Sequence, residues 1–311
     1  MGSPPRGFFI PSDVTQHRAL QVASPSTGGQ LVDTIVASSV IDRLREALVV
    51  RRAGAMFLGN LEGNLSLPRL TTSVAAGWEN EGDERANADA VFDQVDLAPK
   101  QLMAVTAYSR KLLAQTSPDI EMLLRNDVAT MMATVLDKQI LGRDVSSKGP
   151  TELAAETGVN SVSVSGADGG PPTWATVVGL ETQVAIDDAL MSREAYITTP
   201  GVVGQLKTIE KAANTGMFLA APDGSLNGYT CLRSNTVKHD SAKGSSGATL
   251  HSLIFGCWSQ LIVGSWAGID VMADIYTLAS RAQVRLIGYS LFDTAVRHGE
   301  SFAICNELTV T

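Results

Sequence analysis

The stretch from Ser117 to Gly142 constrains the rest of the chain most, because it reads as one long helix with both ends marked. Ser117 is a capping residue, Pro118 suits a first turn, and Gly142 supplies the left-handed turn that stops a helix. Between them Ile120, Leu124, Val128, Met131 and Val135 recur at three- and four-residue steps, with Leu123, Met132 and Leu136 widening the stripe. Arg125, Asp127, Asp137 and Lys138 mark the other face. About 24 residues at roughly 1.5 Å each make a rod of about 36 Å, longer than most globular helices. A rod dry on one side and charged on the other is a backbone on which separate lobes hang, within an α+β chain.

Residues 1 to 32 read as an extended arm. Pro4, Pro5, Pro11 and Pro25 obstruct regular pairing, yet Phe8, Phe9, Ile10, Val14, Leu20 and Val22 are too apolar for a simple solvated tail. An extended apolar arm usually has a surface to lie on, often a neighbour's; the alternative is a disordered terminus. Asp33 then caps a short amphipathic helix through Ile35, Val36, Val40, Ile41, Leu44 and Leu48. Asn64 to Leu70 alternates as a strand, and alternation resumes at Phe92, Val95 and Leu97, then at Leu102, Ala104 and Thr106. The stretch Gly77 to Asp96 is polar and acidic, with Glu79, Glu81, Asp83, Glu84, Asp89, Asp93 and Asp96 opposed only by Arg85. This predicts a long hairpin with a charged tip. The spacing of the acids fits no calcium-loop template.

Beyond the long helix, Val145 to Pro172 is rich in Ser, Gly and Thr and crosses to a second lobe, with Val162 and Val164 as a short edge strand. Trp174 to Leu190 is helical in pattern. Ala195 to Thr198 is a strand ending at Pro200, and a helix follows through Val203, Leu206 and Ile209. Asp223-Gly224 and Asn227-Gly228 are tight-turn signals, which makes Phe218 to Val237 a β-meander. His239 to Gly247 reads as a mobile loop. The remainder is mostly strand: Leu261 to Gly264, Asp270 to Ile275, and Gln283 to Phe292.

A chain of 311 residues allows one to three domains. Its net charge of −8 repels nucleic acid, so a role beside DNA is containment and not sequence reading. No apolar run approaches the roughly 20 residues that span a bilayer, and Met1 to Ile10 lacks the apolar core of a signal peptide. Three scattered cysteines, Cys231, Cys257 and Cys305, fit a reducing compartment and buried thiols, not a disulfide scaffold.

Catalytic patterns are thin. His17, His239, His251 and His298 lie far apart in sequence and outside any metal-binding spacing. Gly244 to Gly247 and Gly264 to Gly268 both miss the nucleophile-elbow spacing. Cys257 sits in an apolar strand-like setting that suits a structural thiol. Asp187-Asp188 lies at a helix end, where carboxylates are usually solvated. The expectation is a protein with no catalytic residue, no cofactor and no metal.

Several short segments carry a resemblance. Arg6-Gly7-Phe8-Phe9-Ile10-Pro11 resembles the mature start of tailed-phage (Caudovirales-type) major capsid proteins of the Hong Kong 97 fold. Trp78-Glu79-Asn80-Glu81 resembles that family's hairpin, and Ser109 to Leu113 before Ser117 to Ile120 resembles the lead-in to its spine helix. Ile254 to Gln260, running on to Gly268-Ile269-Asp270-Val271, resembles its last third. The resemblance implies an N-arm over 1–32, a lead-in over 33–61, an E-loop hairpin over 62–100, and a P-domain over 101–171 with the spine helix at 117–142. It further implies an A-domain over 172–267, long P-domain strands over 268–302, and an A-domain return over 303–311.

The implied function is self-assembly, as pentamers and hexamers, into an icosahedral shell around double-stranded DNA. The shell would form in the host bacterial cytoplasm and become the virion capsid, with no membrane contact. Portal, scaffolding or protease, and decoration proteins would be its partners. Phe8, Phe9, Ile10, Trp78, Glu79, Glu81, Asp83, Glu84 and Arg85 are the expected subunit-interface residues. Two departures from the family stand out. No N-terminal scaffolding segment precedes the arm, which fits a mature or engineered form or a separate scaffolding chain. Between Glu62 and Ala98 there are Arg69 and Arg85 but no lysine, so the lysine–asparagine weld of some members has no donor here. An encapsulin-like compartment holding a cargo enzyme is the alternative within the same fold. A hydrolase built on Cys257 or a Ser-Gly loop is a remote one.

Overall fold

The structure, a computed structural model, describes residues 48–72, 74, 76–78, 80, 89–115, 120–191, 193–212 and 214–310. Its elements, in chain order, are α1 (Val49–Ala53), β1 (Met56–Leu58), β2 (Leu65–Thr72), β3 (Val91–Leu97), β4 (Lys100–Ser109), α2 (Arg110–Gln115) and α3 (Ile120–Ile140). There follow β5 (Asn160–Ser161), α4 (Trp174–Ile186), β6 (Glu194–Thr198), α5 (Pro200–Leu206), β7 (Ser225–Leu226), β8 (Tyr229–Arg233), β9 (His251–Cys257), β10 (Leu261–Asp274), β11 (Gln283–Val296) and β12 (Phe302–Leu308). The arm, and the expected helix from Asp33 as far as Ala47, lie outside the described residues.

The expected long helix is α3, 21 residues or about 32 Å. Its cap residues Ser117 and Pro118 lie outside the described residues. Gly142 takes φ +79°, and the Arg143 amide donates back to the Lys138 carbonyl at 2.8 Å, which satisfies an otherwise orphaned carbonyl of the last turn. The buried stripe differs from the one expected: Val128, Met132, Leu136 and Ile140 are buried, while Met131 and Val135 are exposed. Asp137, expected on the charged face, is buried, and its Oδ2 accepts the Val49 amide at 2.7 Å. A carboxylate is tolerated inside when it satisfies a buried donor.

Two sheets share this helix. The four-stranded sheet runs β1-β10-β11-β4, with β10, β11 and β4 antiparallel. Val128 and Met132 of α3 lie over Gly288 of β11, and Leu124 packs with Tyr108, Val284 and Leu286. The six-stranded sheet runs β5-β12-β9-β6-β8-β7. Strands β6, β9 and β12 are apolar on both faces, and alternation sorts their residues between two cores. Ile197, Ile254, Phe302 and Ile304 join Leu136 and Ile140 of α3 in one core. Tyr196, Phe255, Ala303 and Cys305 join Val177, Leu180 and Val184 of α4 in the other. The chain passes from one sheet to the other at Trp258–Gln260, whose Trp258 Nε1 donates to the Ala195 carbonyl at 2.9 Å.

Other elements depart from expectation. Asn227 and Gly228 both take positive φ and close the two-residue turn between β7 and β8, but β8 then runs parallel to β6, so Phe218 to Val237 is no meander. Strand β4 belongs to the four-stranded sheet, and the hairpin consists of β2 and β3 alone. Leu261–Gly264 and Asp270–Ile275, read as separate strands, form the single bulged strand β10, which ends at Asp274. The loop around His239 to Gly247 is tied down: Ser241 bridges Leu250, Ser245 N donates to Asp168, and Lys243 Nζ pairs with Glu307 at 2.7 Å.

Candidate assembly surfaces

The β2–β3 ribbon is anchored at one end and bare at the other. At its base Leu65, Leu67, Val95 and Leu97 pack against Leu58, Ile262, Ala295 and Trp266. Farther out, Leu70 and Phe92 face each other across the ribbon, and they are 44% and 70% exposed. Val91, Val74 and Trp78 lie beyond them and are also exposed, Trp78 completely. Of the residues expected to meet a neighbour, Trp78 is therefore placed in the open. Phe8, Phe9, Ile10, Glu79, Glu81, Asp83, Glu84 and Arg85 lie outside the described residues.

A second bare surface lies on the four-stranded sheet. With α3 on one face of the four-stranded sheet, the other face carries Met103 opposite Tyr289, and Val105 opposite Ile287, which in turn faces Met272. Met103, Val105 and Met272 are each more than half exposed. The sequence signal was present: Leu102-Met103-Ala104-Val105 is apolar at both parities, as in a strand meant to be covered on both sides. Scattered exposed apolar residues are ordinary; here three of them stand on one face of three adjacent strands.

The side chains of reactive type are engaged structurally. Burial pushes the Cys231 and Cys305 thiols up to about 11, far from the thiolate that a nucleophile requires. Cys257 is buried, with Sγ 3.2 Å from Ser259 Oγ. The His239 and His251 ring centroids lie 5.7 Å apart with their planes tilted by 31°, His251 Nδ1 on the Thr199 hydroxyl at 2.7 Å and His239 Nδ1 facing the Val237 carbonyl. Burial and the neighbouring His239 hold His251 below the usual histidine range. Burial would raise the Glu307 carboxyl, but the Lys243 ammonium and the Val164 amide outweigh it and hold it low. Asp187 accepts from Asn160 Nδ2 at 2.7 Å. Among the described residues no set of three His, Cys, Asp or Glu side chains could hold a metal, and no helix is long and apolar enough to cross a membrane.

Comparison with known proteins agrees in kind. The model of the phage capsid family matches residues 28–306. The major capsid protein of Halomonas phage phiHAP-1 is 28% identical over 310 residues, covering 98% of this chain and 49% of that protein. The major capsid protein of Klebsiella oxytoca phage phiKO2 is 30% identical over 144 residues, covering 46% of this chain and 33% of that protein. The chain thus spans about half the length of one curated relative and aligns with a third of the other. Among solved structures, the capsid of a native GTA particle superposes with a TM-score of 0.75 at 17% identity, covering 94% of this chain and all of that one. A structure from Mycobacterium phage Adephagia superposes at 0.70 with 16% identity, covering 93% and 98%. The fold is the mixed helix-and-sheet capsid fold of the Hong Kong 97 type.

Proposed function

The chain belongs to the phage capsid family, and from that premise we propose that it is the shell-forming part of a phage major capsid protein. In this reading, copies associate as pentamers and hexamers and tile an icosahedral shell around double-stranded DNA. The observation that carries the proposal is the pair of bare apolar surfaces, the outer ribbon around Leu70 and Phe92 and the open face around Met103, Val105 and Met272. On a lone chain these invite aggregation; repeated head-to-tail contacts between copies cover them.

The domain names follow the same reading. Residues 62–100 are the E-loop, 101–171 with α3 and 268–302 form the P-domain, and 172–267 with the return over 303–311 form the A-domain. Residues 1–32 serve as the N-arm, with Phe8, Phe9 and Ile10 laid on a neighbour. Trp78 and the acidic run Glu79, Glu81, Asp83 and Glu84, with Arg85, meet a neighbour's basic surface. Assembly takes place in the host bacterial cytoplasm, with a portal, a scaffolding or protease function and decoration proteins as partners. The net charge of −8 supports containment of DNA without base-specific contact, and no catalytic role is assigned to any residue.

The named relatives are phage capsid proteins, which favours a virus over an enzyme-filled compartment. Particles purified from the native host test the choice. Nuclease-protected double-stranded DNA is the expected content; a co-purifying enzyme without DNA would overturn it.

A further inference from the structure

Both strands of the β2–β3 ribbon are tied by polar side chains to the C-terminal end of β11, and we propose that these two latches set the angle at which the ribbon leaves the body. On the outgoing side, β3 ends at Leu97 and β4 begins at Lys100, so Ala98 and Pro99 form the hinge. Asp293 of β11 faces that hinge. Its Oδ2 accepts the Ala98 amide at 2.9 Å, while Oδ1 meets Lys100 Nζ at 3.0 Å and accepts the Thr294 amide at 2.9 Å. The Asp293 side chain is 5% exposed, so three donors converge on a carboxylate in a nearly dry site, where charge-assisted bonds are strong.

On the incoming side, Arg69 of β2 spreads its guanidinium between two acceptors. Nε and Nη2 donate across the ribbon to Asp93 Oδ2 at 3.2 and 2.8 Å, and Nη1 donates to the Arg297 carbonyl at 3.2 Å. One side chain thus joins both ribbon strands to the residue just past β11. Arg69 is also farther from the base than Leu67 and its partner Val95, the outermost ribbon residues in the basal apolar cluster.

Latches are needed because apolar contact has no direction. The basal cluster resists withdrawal of the ribbon but fixes its tilt poorly, since burial depends on area and not on angle. Hydrogen bonds weaken steeply when bent, so two of them on opposite strands define a tilt. The latches lie within one chain, and the inference holds whatever the assembled particle contains. Arg69 and Asp293 are positioning residues for the ribbon.

Electron-spin distance measurement between nitroxide labels at Thr71→Cys on the ribbon and Ala107→Cys on β4 reads the tilt directly. Labelled chains are diluted into unlabelled ones, so that only the within-chain distance is seen. The parent chain should give one narrow distance. Arg69→Gln and Asp293→Asn should each shift or broaden it while circular dichroism stays unchanged. Arg69→Lys should fall between, because an ammonium reaches one of the two acceptors. If Asp293→Asn does not fold, Arg69→Gln decides alone, since Arg69 sits on a largely exposed strand. A distance distribution in Arg69→Gln equal to the parent's in mean and width would overturn the proposal.

Discussion

Gly288 of β11 lies directly under Val128 and Met132 of α3: a Cβ there would stand 2.5 Å from Val128 Cγ1 and 2.8 Å from Met132 Sδ. The long helix comes this close to its sheet because nothing projects from that position. Gly288→Ala should therefore force α3 outward and cost about 1–3 kcal/mol, the usual penalty for overfilling a tight core. A lowered denaturant midpoint with unchanged slope is the expected readout, and Gly288→Val should be worse. An unaltered midpoint would mean that the helix rides higher than this contact implies.

How much of this was legible in the sequence depended on the range of the interactions. The Gly142 stop of α3, the start of α4 at Trp174, the Asn227-Gly228 turn and strands β6 and β11 follow from local chemistry and period and were legible, whereas α4 stops at Ile186, four residues short of the expected Leu190. Partner choice was not. Nothing in Tyr229 to Arg233 says that β8 pairs parallel with β6, because register and neighbour are settled by the core that the strands share. Asp137 looked like a surface charge, but it sits inside because an amide 88 positions earlier needs an acceptor. Of the expected interface residues only Trp78 is placed; the run Leu102 to Val105 signals a strand apolar on both faces, but that Met272 joins Met103 and Val105 on one face depends on the register of three distant strands.

A half-buried carboxyl near the ribbon hinge gives a pH signature. Burial and then the charge of Asp293 push Glu156 above the usual carboxylate range, with Lys100 and Arg69 pulling the other way. A folded-state value above the unfolded one stabilises fully below the unfolded value, and the contribution is lost as pH rises through the folded value. Glu156→Gln should therefore flatten that part of the stability profile and leave the protein more stable than the parent at neutral pH. Denaturant midpoints between about pH 4 and pH 7 check this. Parallel profiles for parent and variant would show that Glu156 senses no such environment.

The outer ribbon should matter between chains and not within one. Leu70→Ser and Phe92→Ser alter exposed side chains, so subunit stability should change by no more than about 0.5 kcal/mol. If a neighbour covers them, each loses roughly 1.5–3 kcal/mol of burial per contact, repeated at every copy of the interface. Light scattering should show assembly falling sharply while circular dichroism is unchanged. Full assembly by both variants would remove the ribbon from the contact.

Cohesion should be non-covalent. The segment from Glu62 to Ala98 holds no lysine, and the three cysteines are free, two of them buried. Boiling in detergent, with or without reductant, should give a single band at the monomer mass. A ladder that survives both treatments would reveal a weld between side chains, and one that collapses only with reductant would implicate Cys231, Cys257 or Cys305.

If copies of this chain build a shell, the two bare apolar surfaces are the interfaces between them. Electron cryomicroscopy of the expressed chain tests it most directly. Closed icosahedral shells or capsomer rings are expected, in which a neighbouring copy covers Leu70 and Phe92 on the ribbon and Met103, Val105 and Met272 on the open face. Shells that leave both surfaces facing solvent, or a chain that stays monomeric at high concentration, would contradict it.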